Sequence, residues 1–388
     1  MNQKPRTTNY RAYEAAFAEK LGEGAIAFAF WKGRVALEST LRAFGLSAGD
    51  EVIMPGFTCV VVPDAVRRVG AVPVFADIEA QGYNADLAQV ESLVTLKTRA
   101  VICQHTFGIV ADLGSLVALC ERHGLLLIED SCHALGSYYQ GKHVGLVGHA
   151  GFFSSQWSKP YTTGLGGMAV TSRKDVAEEI EVVYRKSKPP SFSARARLWF
   201  QFMVYSRFFT PQLYWTAQAA IRGLSKVGLF VGSSSSAELT GEVPVDHDWL
   251  MGHSQQKWGL RELARQDAVF EHRKAIAALY DRELAAHGWD TCVRPEGSML
   301  LRYPVRVANK LELLDKAKRA RVELGSWFES PLHPLELSEH HRLGYRVGQC
   351  PNAERAALET VNLPLHSQIT PEEALRVLEF MFAEARLR

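Results

Sequence analysis

The sequence lacks several features that would each assign the protein to a class. Its formal net charge is only +2 over 388 residues, so neither a nucleic acid nor another polyanion is indicated as a partner. The N-terminal stretch MNQKPRTTNYRAYEAAF contains no apolar segment typical of a signal peptide, and we therefore expect a cytoplasmic protein. The six cysteines are scattered without the CxxC or cysteine–histidine spacing of a metal site. We expect reduced, mostly buried thiols and no bound metal.

The composition is ordinary for a globular protein with a large core, with 47% hydrophobic and 22% charged residues. Taken as a prior, the chain length favours one large domain and one smaller domain. We place the large domain at residues 1–248 and the small C-terminal domain at 249–388. An insertion rich in aromatic residues, at about 187–245, interrupts the large domain.

The most informative stretch of the sequence places an acid and an amine near two strand ends. The apolar run at 125–128 ends in a glutamate and Asp130, and a second apolar run ends at Ser154. Lys159 follows five residues later, before a glycine-rich turn at 164–167. Short apolar runs are typical of buried parallel strands, and α/β sheets bind ligands at strand ends. A carboxylate that faces a pyridine nitrogen and a lysine that forms a Schiff base are the groups that pyridoxal phosphate (PLP) requires.

The order of these residues resembles the DegT/StrS family of nucleotide-sugar aminotransferases. The resemblance is carried by GDEVIMPGFT (49–58), VPVFADIEAQGYNAD (72–86), CERHGLLLIEDSCHALGS (120–137), FFSSQWSK (152–159), GLGGMAV (164–170) and LGYRVGQCPNAER (343–355). It implies an α/β, fold-type I PLP-dependent transferase, with a large, mostly parallel seven-stranded sheet domain and a small C-terminal α/β domain. It also implies a homodimer with both active sites at the interface.

The resemblance assigns roles to four residues of the central stretch. Lys159 would hold PLP as a Schiff base, and Asp130 would face the pyridinium nitrogen. His133 matches a position that contacts the ring hydroxyl, and Ser154 matches a serine that donates to the phosphate. The alternative for Asp130 is a surface helix cap, against which the preceding run of aliphatic residues argues.

The turn that would cradle the PLP phosphate follows a short strand and opens a helix, where free N–H groups favour an anion. By resemblance this role belongs to Gly33, Arg34 and Val35; the alternative is a plain strand–helix turn. The family usually has a small hydroxyl residue at Arg34, so this arginine either binds the phosphate or points to solvent. Cys59 stands where the family commonly stacks an aromatic ring on the cofactor, and Leu165 stands where it has a glutamate.

Four further positions concern the substrate and the neighbouring subunit. His105 lies at a strand end that faces the site in the family pattern, although a structural histidine is an equal alternative. His333 is a candidate substrate contact, because Trp327–His333 matches a segment that lines the sugar site. Asp248 and Leu250 replace an asparagine and an arginine in a run that contributes a phosphate contact to the partner subunit, which puts that contact in doubt.

The insertion admits three interpretations. It is a lid or an arm that embraces the partner subunit, an interfacial helical hairpin that makes a peripheral membrane contact through 196–231, or an addition to the core. Its aromatic middle is interrupted by Arg207 and Pro211, which excludes a membrane span.

The predicted reaction is transfer of an amino group, from glutamate, to a nucleotide-activated keto-deoxysugar. The alternatives are a sugar dehydratase that uses pyridoxamine phosphate and a degenerate, non-catalytic binding protein. The dehydratases replace the lysine by histidine, so Lys159 favours transamination. The departures at Cys59, Leu165, Asp248 and Leu250 motivate the non-catalytic alternative.

Overall fold

A computed structural model describes residues 11–157, 159–208 and 243–387. The strands are β1 (Ile26–Phe30), β2 (Glu51–Pro55), β3 (Thr58–Cys59), β4 (Val72–Ala76), β5 (Thr98–Gln104), β6 (Leu126–Asp130), β7 (Tyr138–Tyr139), β8 (Lys142–His143), β9 (Ala150–Ser154), β10 (Gly167–Thr171), β11 (Tyr303–Arg306), β12 (Leu332–His333) and β13 (Thr360–Leu363). The helices are α1 (Ala12–Leu21), α2 (Gly33–Ala43), α3 (Val61–Arg68), α4 (Leu87–Ser92), α5 (Leu113–His123), α6 (Lys174–Lys186), α7 (Phe192–Phe208), α8 (His253–Leu263), α9 (Gln266–Ala286), α10 (Lys310–Ala320), α11 (Pro351–Glu359) and α12 (Pro371–Glu384). Two 3₁₀ helices span Thr106–Gly108 and Leu337–Leu343.

The large sheet has seven strands in the order β1-β10-β9-β6-β5-β2-β4. Strands β9, β6, β5, β2 and β4 pair in parallel, whereas β10 is antiparallel to both of its neighbours. The α/β architecture with a large, mostly parallel seven-stranded sheet is therefore confirmed.

Side-chain alternation on the central strands explains why helices cover both faces of this sheet. Ile102 and Ile128 belong to a core cluster that also contains residues of α2 and α3. Their neighbours Val101 and Leu127 pack on the opposite face with residues of α5. Successive residues of a strand point to opposite faces, so a continuous apolar run must be buried on both.

The C-terminal part forms an antiparallel pair, β11 and β13, with helices α9 to α12 around it. A second short pair, β3 and β12, is parallel and aligns Cys59 with His333. It thereby joins the C-terminal part to the segment that directly follows β2 of the large sheet. Residues 249–263 also contact the large sheet, since Leu250 bridges Phe30 and the amide of Trp31 donates to Trp249 O at 2.9 Å. The domain boundaries stay predictions.

The insertion is described only at its two ends, as α7 and the residues from 243 onward. The predicted membrane contact through 196–231 therefore falls largely outside the described residues. Within the described ranges, no helix combines the length and the apolar character needed to cross a membrane. Leu198 of α7 is buried with Trp31 and Leu165, so this part of the insertion adds to the core.

Candidate active site

A cavity of about 160 Å³ lies at the carboxyl ends of the three neighbouring parallel strands β5, β6 and β9. Eight of the ten predicted site residues line it: Gly33, Arg34, Cys59, Asp130, His133, Ser154, Lys159 and His333. Val35 and His105 are not among the lining residues. The fold thus brings together side chains that are up to 300 positions apart in sequence.

Asp130 is the last residue of β6, which lies between β5 and β9. Its side chain is buried, and Oδ1 accepts a hydrogen bond from the Cys132 amide at 3.0 Å. Burial raises the pKa of this carboxyl, while the Cys132 hydrogen bonds and the charge of Lys159 oppose that rise. A carboxylate in such a place is stabilised by a cation held against it. A protonated pyridine nitrogen would supply that cation.

Lys159 is half-buried on the loop that connects β9 to β10. Its amide donates to Gln156 O at 2.9 Å, and its Nζ lies 5.1 Å from the centroid of the Trp327 ring. Its positive charge acts on Asp130 and lowers the pKa of His133, so the amine lies close to both groups. The described geometry therefore places an amine and a buried acid at one cavity.

His133 is held between two aromatic side chains. Its ring stacks on Phe107, with centroids 6.3 Å apart, and on Trp327 at 5.4 Å. Nδ1 accepts a hydrogen bond from the Phe107 amide at 3.2 Å. Burial, followed by the charge of Lys159, lowers the pKa of His133 well below its usual value. The imidazole is therefore neutral, with its hydrogen on Nε2 as a donor.

At the turn that starts α2, neighbouring segments of the chain approach one another closely. A Cβ on Gly33 would lie 3.0 Å from Ser154 Cβ, and one on Gly167 would lie 2.3 Å from Lys32 O. Glycine at these positions lets the helix N-terminus face the cavity, where free N–H groups favour an anion. Val35 differs, since its side chain is buried in the core and its amide donates to Lys32 O at 3.1 Å.

The opposite wall comes from the C-terminal part. Trp327, Phe328 and Pro334 line the cavity with His333. Burial lowers the pKa of His333 to about 4, and its Nδ1 accepts from the Glu329 amide at 3.3 Å. This wall supplies aromatic surface on the side where Cys59 replaces an aromatic residue.

His105 is fully buried, and both of its ring nitrogens are occupied. Nδ1 accepts from the Ala111 amide at 3.2 Å, and Nε2 lies 3.1 Å from Glu129 Oε2. Glu129 also accepts from the amides of Gly145 and Gly148 at 2.7 Å each. The structure does not bring His105 to the cavity, and its contacts are those of a structural histidine.

Two of the departures from the family pattern have local partners. Leu165 is buried with Trp31, and its carbonyl accepts a hydrogen bond from Gln255 Nε2. Asp248 Oδ2 lies 2.8 Å from Lys188 Nζ, so a cation offsets its charge.

Helix α7 covers the loop that carries Lys159. The ring of Trp157 contacts Tyr205 at 4.8 Å and Phe202 at 6.1 Å between centroids. Phe202 in turn stacks on Trp258 of α8 at 3.8 Å. A Cβ on Gly164 would lie 2.9 Å from Leu198 Cδ1, which shows how closely the helix approaches the glycine turn.

Sequence reasoning missed one charged residue of the site. Lys32 directly precedes the glycine turn, lines the cavity and is 5% exposed. A lysine before a glycine at a helix start was a usable signal, because cations are favoured beside a bound anion.

The fold and the cavity define a fold-type I PLP-dependent transferase. The residues present fit PLP, because a buried carboxylate, an amine and a glycine turn at a helix N-terminus line the same cavity.

Comparison with known proteins gives the family. The sequence model of the DegT/DnrJ/EryC1/StrS aminotransferase family matches residues 4–201 and 220–382. The chain is 30% identical over 355 residues to the pleiotropic regulatory protein of Geobacillus stearothermophilus, covering 89% of this chain and 82% of that protein. It is 27% identical over 372 residues to the GDP-perosamine synthase of Caulobacter vibrioides, covering 94% and 87%. The L-glutamine:scyllo-inosose aminotransferase of Streptomyces griseus is 42% identical over 176 residues, covering 45% and 41%.

Solved structures agree with this result. DesV of S. venezuelae superimposes with a TM-score of 0.73 at 25% identity, covering 98% of this chain and 91% of that one. The PLP form of Spr1654 from Streptococcus pneumoniae gives a TM-score of 0.73 at 22% identity, covering 98% and 91%. The chain belongs to the DegT/DnrJ/EryC1/StrS aminotransferase family. It is an aminotransferase, and the residues that line its cavity fit pyridoxal phosphate.

Proposed function

We propose that the protein transfers an amino group from glutamate to the keto group of a nucleotide-activated deoxysugar, in the synthesis of surface polysaccharide or natural-product sugars. The observation that carries the proposal is the meeting of Asp130, Lys159 and the turn at Gly33 in one cavity, in a chain that matches a GDP-perosamine synthase over 94% of its length. DesI, solved in the presence of its TDP-sugar product, shares the fold with a TM-score of 0.71.

The cavity residues have different roles in the proposed reaction. Bound PLP supplies the electron sink that makes a proton on the donor's α-carbon acidic. Lys159 would hold the cofactor through its Nζ, and the same amine would take up the proton that the donor's α-carbon releases. Asp130 keeps the pyridine nitrogen protonated, and the neutral His133 donates from Nε2. The same amine would return a proton when the keto group of the acceptor is aminated.

The acceptor lies, in this proposal, against the C-terminal wall. Trp327 and Phe328 present apolar faces there, which suit a sugar ring, and His333 offers a ring nitrogen at the same wall. His333 is neutral in the usual range because burial lowers its pKa to about 4. These residues would select the acceptor, whereas Asp130 and Lys159 would serve any amino donor.

A second acceptor class is favoured by a specific similarity. Segments of 149 to 187 residues are 40–43% identical to aminotransferases named for scyllo-inosose and its derivatives, with L-glutamine as the named donor. We therefore propose a cyclitol ketone with glutamine as the alternative substrate pair.

One experiment distinguishes the two proposed substrate pairs. Purified protein with PLP is incubated with glutamate or glutamine and with each member of a panel of nucleotide keto-sugars and scyllo-inosose. The products are identified by mass spectrometry. Amination of a nucleotide keto-sugar supports the main proposal, and amination of the cyclitol alone supports the alternative. If protein that carries PLP aminates none of them while K159A behaves identically, both proposals fail.

We propose further that the protein is a homodimer, with α7 contributing to contacts between the two copies. Trp199, Phe200 and Met203 of this helix expose 49%, 59% and 47% of their surfaces, a large apolar area for one helix face. Light scattering coupled to size-exclusion chromatography measures the mass directly, and a monomer at micromolar concentration contradicts the proposal. Flotation with liposomes tests the membrane alternative, and the cytoplasmic location stays a prediction.

A further inference from the structure

A buried lysine lies behind the C-terminal wall of the cavity. Lys310 is the first residue of α10 and is 4% exposed. Its Nζ donates to three main-chain carbonyls, namely Ser326 O at 3.1 Å, Phe328 O at 2.9 Å and Ala357 O at 2.6 Å. An ammonium has three N–H donors, so these carbonyls use all of them. The amine therefore links the start of α10, the segment 326–328 and α11 at one point.

Two of the three carbonyls flank a residue that lines the cavity. Ser326 and Phe328 are the chain neighbours of Trp327, so Lys310 holds the main chain on both sides of that indole. The Trp327 amide donates to Oδ1 of the buried Asn362, on β13, at 2.9 Å. The segment lies outside the helices and strands. Its position is therefore fixed by side chains that other elements supply.

The place of this charge is not explained by the helices alone. Ala357 O belongs to the last turn of α11, where a carbonyl lacks a partner within its helix and a cation is favoured. A cation at the start of α10 opposes the dipole of that helix, however. Burial lowers the pKa of Lys310 to about 8, and the charge of Glu329 opposes that shift. The amine still carries its proton at pH 7, and all three donors are available.

The segment that Lys310 holds carries the aromatic surface of the C-terminal wall. The Trp327 ring stacks on His133 at 5.4 Å between centroids, and its centroid lies 5.1 Å from Lys159 Nζ. The Phe328 ring packs edge to face on Phe57 at 5.0 Å. A displacement of the segment would change the gap between this wall and the reactive amine. A misplacement of about 1 Å at a reacting centre can cost on the order of 100-fold in rate.

We propose that Lys310 is a positioning residue for the keto acceptor. Its ammonium fixes the carbonyls on either side of Trp327 and so sets the distance between the C-terminal wall and Lys159. The inference rests on the proposed function, which places the acceptor against Trp327 and Phe328. The amino donor reacts at Lys159 beside Asp130 and should be unaffected, because all three donors of Lys310 are used on carbonyls.

The test separates the two substrates in K310M, whose side chain has a similar length and no donor. The KM of the acceptor is measured at saturating amino donor, and the KM of the donor at saturating acceptor. We expect the acceptor KM to rise about 10-fold, with the donor KM and kcat within about twofold of the wild type. K316M removes a partly exposed lysine of the same helix, which pairs with Glu312 at 2.8 Å, and should match the wild type.

Two further variants separate positioning from misfolding. K310R keeps the charge and the donors, so its acceptor KM should stay within about threefold of the wild type. K310Q keeps two N–H donors and should fall between K310R and K310M. Hydrogen exchange followed by mass spectrometry reports on the wall without any acceptor. In K310M the amides of residues 326–330 should exchange about 10-fold faster than in the wild type, while those of β6 keep their rate.

The exchange measurement keeps this inference apart from the proposed function. If no acceptor is aminated, the proposed function fails, whereas faster exchange confined to 326–330 still supports Lys310 as the residue that holds the wall. Unchanged exchange in that segment overturns the inference whichever acceptor is used. An equal rise of both KM values, or an unchanged acceptor KM, also overturns it. If K310M exchanges rapidly along the whole chain, K310Q is judged by the same criteria.

Discussion

The residues proposed to face the cofactor ring and those proposed to face its phosphate contrast in where they come from. We call these two groups the ring end and the phosphate end. At the ring end, Asp130 ends a buried central strand, His133 follows on the loop after that strand, and Lys159 lies on the loop after the neighbouring strand β9. At the phosphate end, Lys32 and Arg34 flank Gly33, and Asp246, just after the insertion, pairs with Lys32. The acid, the amine and the histidine expected at the ring are all present, and Cys59 is the departure there, whereas Arg34 is a departure at the phosphate end. The contrast teaches that groups with a chemical role on the ring are restricted in residue type, while a phosphate accepts any well-placed set of donors.

The largest effect is expected from Lys159→Ala at the ring end. The variant removes the amine that anchors the cofactor and moves the proton, so activity should fall by more than about 100-fold. Borohydride reduction followed by protein mass spectrometry should retain the cofactor covalently in the wild type and not in the variant. Lys142→Ala, at an exposed lysine, serves as the control. Covalent retention of the cofactor in K159A would contradict the assignment of Lys159 as the residue that anchors it.

Asp130→Asn tests the acid on its own. The amide is nearly the same shape but cannot stabilise a protonated pyridine, so we expect roughly a 100-fold loss of turnover with PLP still bound. The visible spectrum of the loaded variant should also shift, because ring protonation changes the absorbance. A variant with wild-type turnover would show that another residue provides the charge at the ring end.

Leu198→Ala tests the cover that α7 provides over the lysine loop. Leu198 is 1% exposed, and truncating a buried leucine costs about 2–5 kcal/mol of unfolding free energy. Phe200→Ala on the same helix changes a residue that is 59% exposed and should stay within about 0.5 kcal/mol. Urea denaturation measures the unfolding free energy of both variants and of the wild type. Equal effects would show that α7 does not pack on the loop in solution.

The pH dependence of stability is expected to reflect the burial of His333 in the C-terminal wall of the cavity. The folded pKa of His333 is about 4, below the usual value of 6.5, because the ring is buried. The unfolded chain therefore binds more protons between pH 6.5 and 4, and stability falls as pH drops through that window. Allowing for partial exposure, the contribution is about 2 kcal/mol.

His333→Gln should remove this part of the acid sensitivity, and His341→Gln, at an exposed histidine, should leave it in place. Melting temperatures between pH 4 and pH 7 provide the measurement. Identical pH profiles for H333Q and the wild type would mean that His333 is not buried as described.

The smallest effect is expected from Arg34→Ser, which restores the small hydroxyl residue usual in the family. The variant loses a cation and gains a donor, so PLP affinity should fall only about 10-fold or less. Titration of the apoprotein measures it, and a gain in affinity would show that the arginine is not a phosphate contact.

Local sequence was sufficient to predict the sheet and to place Asp130 and Lys159 near strand ends. The apolar run before Asp130 predicts a buried strand, and the glycine turn after Lys159 predicts a tight connection to the next strand. Both features depend on neighbours within a few residues, so no knowledge of distant contacts was needed. His105 shows the limit of this reasoning, because its strand-end position predicted a substrate contact, whereas its ring nitrogens bind an amide and Glu129.

By itself, the sequence determined the architecture and the family, and it predicted Asp130 and Lys159 as candidate site residues, since strand patterns and the residue types that the chemistry requires are visible locally. Only the tertiary structure decided that Lys32 pairs with Asp246, that α7 covers the lysine loop, and that Trp327 stacks on His133. Each of these contacts joins segments that are far apart in sequence, and pairing at that distance leaves no periodic signal in either segment. Packing of the whole chain, rather than any local preference, selects such partners.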